Sequence, residues 1–234
     1  MGAGDGVNVE VWWARIDQAQ PEFVADLNAI EQQRYTAYRR DEDKARFLLG
    51  VTLVRRLLGA RMSLPPASVA LDRTCRDCGK PHGKVRAEGI ELSVSHSGDW
   101  VGLAIGTAPV GLDVEQIDPK LDVDGIARMS LAPEELAELA KASDKPWAFA
   151  RYWTRKEALL KATGDGIAGL QSVVVSAPDQ PGAVVRWEGR EGPAHLVDLP
   201  VGEPTSEPTD PDHVAALAVL SAEPLMVTAN QFRI

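Results

Sequence analysis

The sequence predicts an α+β fold made of two similar halves, and three observations lead to it. Runs rich in Val, Ile and Trp alternate with stretches of helical periodicity. The order strand, helices, strands occurs twice, with a join near residues 106–110. A length of 234 residues, 44% hydrophobic and 25% charged, is ample for a packed core. The expected halves are residues 1–108 and 109–234. No strict sequence repeat is visible, so the duplication rests on element order alone.

In the first half, "VNVEVWWAR" reads as a strand through its Val and Trp content. Residues 21–61 hold two helical stretches. The second, "DEDKARFLLGVTLVRRLLG", sets Phe47, Val51, Val54 and Leu58 on one face, with Gly59 as the expected stop. "IELSVSHS" and "WVGLAIG" then form a hairpin around Gly98 and Asp99. "VGLDVEQI" begins the second half after Pro109. A short helix, "LAPEELAELAKAS", has Pro133 and acids in its first turn. A longer helix, "KPWAFARYWTRKEALLKATG", stops near Gly164. "GLQSVVVSA", "AVVRWEG" and "AHLVDL" are strand-like, "PVGEPTSEPTDPDH" is a Pro-rich loop, and "VAALAVLSA" is the final strand.

The net charge of −9 argues against general nucleic-acid binding, but it is unevenly spread. From Arg34 to Arg61 eight basic residues face three acids, and from Arg73 to Arg86 five face one. From Asp179 to His213 two basic residues face eight acids. Local basic segments in an acidic chain suit a specific anionic ligand; the plain alternative is a set of solvated helix faces. The apolar runs are too short to span a bilayer and no charged start precedes an apolar run, so a soluble, cytoplasmic protein is expected. "CRDCGKPHGK" holds the two cysteines, Cys75 and Cys78. A zinc site needs two further ligands, and only His82, His96, His195 and His213 are available. A turn with two free thiols is the preferred reading, with zinc, a redox pair or no role as the alternatives.

Three stretches carry chemistry. In "GLDVE", Leu112 and Val114 alternate with Asp113 and Glu115, so both carboxylates share one face of a strand. That pattern fits either a solvated polar face or two ligands for a hard metal ion. In the long helix, Phe149, Trp153 and Leu160 fall in a narrow arc, and Glu157 lies about 80° from Phe149 at its margin. Lys156 and Lys161 flank that acid, which reads as a surface pair with Lys161 or as a carboxylate needing a partner or metal. In "SVSHSGDW", Ser93, Ser95 and Ser97 share a face and His96 lies opposite. The GxSxG elbow is missing, so these groups fit phosphate contacts or a polar strand end as well as a nucleophile. Together Asp113, Glu115 and Glu157 can give Mg²⁺ three carboxylate contacts, a site for metal-assisted displacement at a phosphate or pyrophosphate ester.

"GLDVEQI" followed by "WTRKEALLKATGDGI" resembles the paired signature of the 4′-phosphopantetheinyl transferases. The type resembled is the single-chain one that activates nonribosomal peptide and polyketide synthases. "DKARFLLG", "CRDCGKPHGK" and "SVSHSGDW" fit the same family in the same order, so the resemblance covers residues 31–170 and the closing strand. It implies an active site in the cleft between the halves. Residues 1–108 would contact the adenosine and phosphates of coenzyme A, and residues 109–234 would carry the metal-binding acids and the catalytic helix. Asp113, Glu115 and Glu157 would be Mg²⁺ ligands, with Glu157 also a candidate base for an incoming serine hydroxyl, directly or through a water. Lys161 would contact the phosphate whose bond breaks, and Lys156 of the same pattern joins the coenzyme A-binding set. Ser95 and His96 match a phosphate-contacting pair, and Arg46 and Arg34 match basic positions near the adenosine 3′-phosphate.

The usual "GKP" element reads "GKV" at Gly83, Lys84 and Val85, with Gly79, Lys80 and Pro81 as a rival. Lys84 is preferred from its "HG" context. The activity implied is Mg²⁺-dependent transfer of 4′-phosphopantetheine from coenzyme A to a serine of an apo acyl or peptidyl carrier protein, by a monomer, releasing 3′,5′-ADP. The alternatives are a Mg²⁺-dependent phosphodiesterase or pyrophosphatase acting on a nucleotide, and a carrier-binding module without catalysis.

Overall fold

The computed structural model describes residues 6–76, 78–81, 83–202 and 210–233. Strand β1 (Val7–Arg15) buries Val7, Val9, Val11 and Trp13 on one face, the period of two expected of an extended chain. Helices α1 (Ala29–Ala37) and α2 (Asp41–Met62) lead to the hairpin of β2 (Glu91–Ser97) and β3 (Trp100–Gly106). Gly98 turns the hairpin at φ +52°, where a Cβ would stand 2.4 Å from His213 Nε2, so both the backbone angle and the space require glycine. β3 pairs antiparallel with β2 and with β1, giving the order β2-β3-β1.

The second half repeats this path. β4 (Val110–Gln116) leads through α3 (Val123–Ser130), α4 (Pro133–Leu139) and α5 (Lys145–Thr163), then a small ribbon of β5 (Val173–Val175) and β6 (Val184–Trp187). β7 (His195–Leu199) and β8 (His213–Val219) follow, and β8 pairs antiparallel with both β4 and β7. Opening strand, long helix and closing antiparallel pair occupy matching places in both sheets. Four layers result. α2 covers the outer face of the first sheet through Phe47, Val51, Val54 and Leu58 against Leu92, Val101 and Leu103. The inner faces meet through Val9, Val11 and Trp13 against Leu112, Val114 and Leu217. α5 covers the outer face of the second sheet through Ala158 and Leu159 against Ala216 and Ala218.

Four local expectations are corrected or extended. The chain does not end on β8: β9 (Leu225–Gln231) follows and pairs parallel with β1, so residues 225–231 join the sheet of the first half. Its sequence, "LMVTANQ", is an edge strand in which Leu225, Met226 and Val227 are consecutive apolar residues, so the sequence shows no apolar–polar alternation there. α3 was not anticipated; Asp122 caps it by accepting from Gly125 N at 3.1 Å. Gly59 does not stop α2, which runs on to Met62 and ends at Ser63 with φ 55°. Gly59 serves close approach instead, since a Cβ there would stand 2.8 Å from the Leu64 carbonyl oxygen. Cys75 and Cys78 form no disulfide and lie in a turn closed by Cys75 N donating to Lys80 O at 2.8 Å. His82 and half of the Pro-rich loop, residues 203–209, lie outside the described residues. Among the described residues no helix is long and apolar enough to cross a membrane.

Candidate active site at the seam of the two sheets

β4 is the edge of its sheet, so one row of its backbone N–H groups has no neighbouring strand. β2 satisfies them with side chains. Ser93 Oγ accepts from Leu112 N at 3.0 Å, Ser95 Oγ from Val114 N at 3.3 Å, and Ser97 Oγ from Gln116 N at 3.1 Å. The alternation that puts these serines on one face therefore has a structural use: it stitches the first half to the second. Two of the hydroxyls also reach the acids. Ser95 donates to Asp113 Oδ1 at 2.9 Å, and Ser97 donates to Glu115 Oε2 at 2.7 Å.

α5 lies directly over β4, and Gly111 is the reason it can. A Cβ at Gly111 would stand 1.9 Å from the Ala158 carbonyl oxygen and 2.5 Å from Ala162 N. This contact brings the face of α5 carrying Glu157 and Lys161 over Asp113 and Glu115. Lys161 Nζ donates to Asp113 Oδ1 at 2.6 Å and to Ser95 Oγ at 3.0 Å. Asp113 is only 2% exposed and Glu115 half-buried, so the polar face of "GLDVE" is largely covered, and Glu157 beside it is 8% exposed. Among the described residues, neither Asp113 Oδ2 nor Glu157 Oε1 has a hydrogen-bond partner, and both atoms are buried. Such atoms are costly in a settled interior, and here two of them belong to carboxylates of one cluster, an arrangement that suits a further partner.

The electrostatics agree. Burial, and then the charge of Asp113, pushes the Glu115 carboxyl up to about 7. The same two causes raise Glu157, with Lys161 opposing them. His96 is accessible at the end of β2, yet its pKa is lowered by the surrounding protein and by Lys161 and Arg46. Arg46 is fixed from α2, its Nε donating to Gly98 O at 2.7 Å and its Nη1 to Asp43 Oδ1 at 2.8 Å. Asp113, Glu115, Glu157, Lys161 and Ser95 thus meet at the seam, and His96, on the other face of β2, feels the charge of Lys161 and Arg46.

As the side chains stand, no three His, Cys, Asp or Glu among the described residues are grouped closely enough to hold a metal ion. Lys161 takes that side of Asp113. The donor set itself suits a hard divalent cation, because oxygen ligands with uncommitted lone pairs are what Mg²⁺ requires.

Three expected residues are not brought into this group. Lys156 is fully buried, with Nζ donating to Ser130 O at 2.9 Å and to Glu135 Oε2, so it faces α3 and α4 rather than a ligand. One step along a helix rotates a side chain by about 100°, which separates Lys156 from its neighbour Glu157. Lys84 donates to Val110 O at 3.0 Å and Ala162 O at 3.2 Å, bridging the two halves. With Arg76, Arg86 and Arg190 it lines a cavity of about 470 Å³ in the seam. Its rival Lys80 is exposed. Arg34 donates to Pro81 O at 2.8 Å and lies over the Phe47 ring at 5.2 Å. Sequence reasoning missed Ser97 as a brace of Glu115 and Gly111 as the contact point of α5. The glycine beside an acidic strand face was the available signal for the latter.

Residues 109–218 match the 4′-phosphopantetheinyl transferase superfamily, and residues 12–108 match the 4′-phosphopantetheinyl transferase N-terminal region. The chain is similar to the 4′-phosphopantetheinyl transferase HetI of Nostoc sp., 32% identical over 74% of this chain and 76% of that protein. It is similar to the 4′-phosphopantetheinyl transferase psf-1 of Bacillus pumilus, 33% identical over 76% of this chain and 74% of that one. A 4′-phosphopantetheinyl transferase of Bacillus subtilis is 29% identical over 86% of this chain and 85% of its own length. Matched over most of its length by relatives of one kind, the chain belongs to the 4′-phosphopantetheinyl transferase superfamily and is an enzyme of that class.

Proposed function

We propose that the chain transfers the 4′-phosphopantetheine arm of coenzyme A to a serine hydroxyl of an apo acyl or peptidyl carrier protein, in a Mg²⁺-dependent reaction that releases 3′,5′-ADP. The observation that carries this reading is the buried pair of uncommitted oxygens, Asp113 Oδ2 and Glu157 Oε1, beside Glu115 and Lys161. Asp113, Glu115 and Glu157 would hold the metal. Bound there, Mg²⁺ supplies charge neutralisation on the pyrophosphate, making 3′,5′-ADP a better leaving group.

The chain's own groups do the rest. His96 and Arg46 receive phosphate charge at the open end of β2. Lys161 contacts the phosphate that is attacked. Glu157 takes the serine proton as the new oxygen–phosphorus bond forms and the pyrophosphate bond breaks. A carboxyl raised above its ordinary value is a better match to this task near neutral pH, and a positioned base contributes typically about 10²–10⁴-fold. Ser95 and Ser97 brace Asp113 and Glu115, and both sides of the site come from one chain, which supports action as a monomer.

The test is incubation with coenzyme A, Mg²⁺ and a purified apo carrier protein. Mass gain on the carrier with release of 3′,5′-ADP is expected. Free phosphopantetheine with an unmodified carrier would replace transfer by hydrolysis, and coenzyme A binding without turnover at any Mg²⁺ concentration would leave a carrier-binding module.

A further inference from the structure

The ion pair of Lys161 and Asp113 stands on the oxygen set that a metal would use. We propose that Lys161 and the metal compete for Asp113, and that a coenzyme A phosphate decides the competition by drawing the ammonium away. Metal binding and coenzyme A binding are thereby coupled through one lysine. This inference rests on the metal-dependent reading given above.

Four observations carry it. Asp113 Oδ1 is fully engaged, by Lys161 Nζ at 2.6 Å and the Ser95 hydroxyl at 2.9 Å, whereas Oδ2 is buried without a partner among the described residues. Among the described residues Lys161 is the only cation in an ion pair with any of the three acids. Its side chain is 30% exposed, so the ammonium can leave Asp113 for a ligand without breaking the core. Finally, among the described residues no three acids are grouped for a metal in the structure that holds this pair. An ammonium and a divalent cation at one carboxylate repel each other strongly where little water screens them. A phosphate offers the ammonium an alternative partner of equal sign to the carboxylate and greater charge.

Linkage then makes the effect reciprocal: whatever factor coenzyme A adds to metal affinity, the metal adds to coenzyme A affinity. Attraction between a bound metal and the coenzyme A phosphates would add its own coupling, so the lysine's share must be read from variants. Mn²⁺ serves as the probe, counted free and bound by electron paramagnetic resonance, with and without coenzyme A and with no carrier present. In the unaltered protein coenzyme A should tighten Mn²⁺ by about tenfold or more.

Lys161→Gln should tighten Mn²⁺ alone by about tenfold and shrink the enhancement by coenzyme A by the same factor. Lys161→Arg keeps the ion pair and should keep the coupling. Lys84→Gln removes a nearby cation that touches none of the three acids, and should leave Mn²⁺ affinity unchanged. The proposal is overturned if Lys161→Gln binds Mn²⁺ alone no tighter than the parent, or if Lys84→Gln tightens it equally. Absence of Mn²⁺ binding in every protein, with and without coenzyme A, would overturn the metal reading as well, which separates the two failures.

Discussion

Lys156 and Lys161 project from the same helix and each meets a buried carboxylate, yet the two pairs are built differently. On one side of α5, Lys156 and Glu135 are complete. Lys156 Nζ also donates to Ser130 O, while Glu135 accepts from Ala132 N at 2.9 Å and Val175 N at 2.9 Å. Neither side chain is more than 2% exposed. That network caps α4 and ties it to α5 and β5. On the other side, Lys161 and Asp113 are bonded, but Asp113 Oδ2 and Glu157 Oε1 have no partner among the described residues and Lys161 reaches the surface. A satisfied buried pair holds the helix in place; an unsatisfied one beside an opening holds capacity for a ligand. Burial or charge alone does not separate the two kinds of site, whereas the unmatched oxygen atoms do.

The largest test of this division falls on the satisfied side. Lys156→Met leaves Glu135 charged and buried, and should destabilise the fold by about 3–5 kcal/mol. That amounts to about 10 °C in melting temperature, read by calorimetry. Adding Glu135→Leu in the same chain removes the stranded charge and should restore most of the stability. The loading rate per folded molecule should then be near that of the parent. A double variant that is stable but inactive would place Lys156 in the chemistry after all.

Next in size is Glu157→Gln on the open side. It should lower turnover about 100-fold while changing coenzyme A affinity far less, since the amide cannot take the serine proton. Weakened coenzyme A binding with preserved turnover would remove its role as base. Measured kcat and KM for coenzyme A decide between these outcomes.

The smallest effect is a pH slope from Glu115. Its folded-state value of about 7 lies above the ordinary 4.5, so the folded protein holds that proton more tightly than the unfolded chain. Its stabilising contribution is therefore full below the ordinary value and is lost as pH rises towards about 7. Urea midpoints at about pH 5 and about pH 8 should differ less in Glu115→Gln than in the parent, by on the order of 1 kcal/mol. An unchanged difference would show that Glu115 ionises freely in the fold.

Much of this was legible in the sequence where a period could form. The Leu112/Val114 alternation located β4 and put Asp113 and Glu115 on one face, and the aromatic arc of α5 located Glu157 at its margin. Gly98 marked the hairpin. What periodicity could not supply was the partner of each face. The acids of β4 looked as solvated as any strand's, because α5, which covers them, begins only at Lys145, well beyond the end of β4 at Gln116. Lys156 looked equivalent to Lys161 because both flank Glu157, although its side chain leaves the helix in another direction. The serines of β2 read as phosphate contacts or a polar strand end; their role at the edge of β4 depends on the packing of two sheets. β9 escaped because an edge strand with mixed faces has little alternation to read.

The division between the two sides of α5 is tested most directly by Asp113→Ala, measured for carrier loading at saturating Mg²⁺ and coenzyme A and for thermal unfolding in the same preparation. Loading should fall by about a thousandfold or more, because a metal ligand and the partner of Lys161 are lost together. The melting temperature should stay close to that of the parent, since the substitution removes one of three crowded acids rather than a satisfied pair. Near-parental loading by a folded Asp113→Ala protein would contradict the assignment of this seam as the active site.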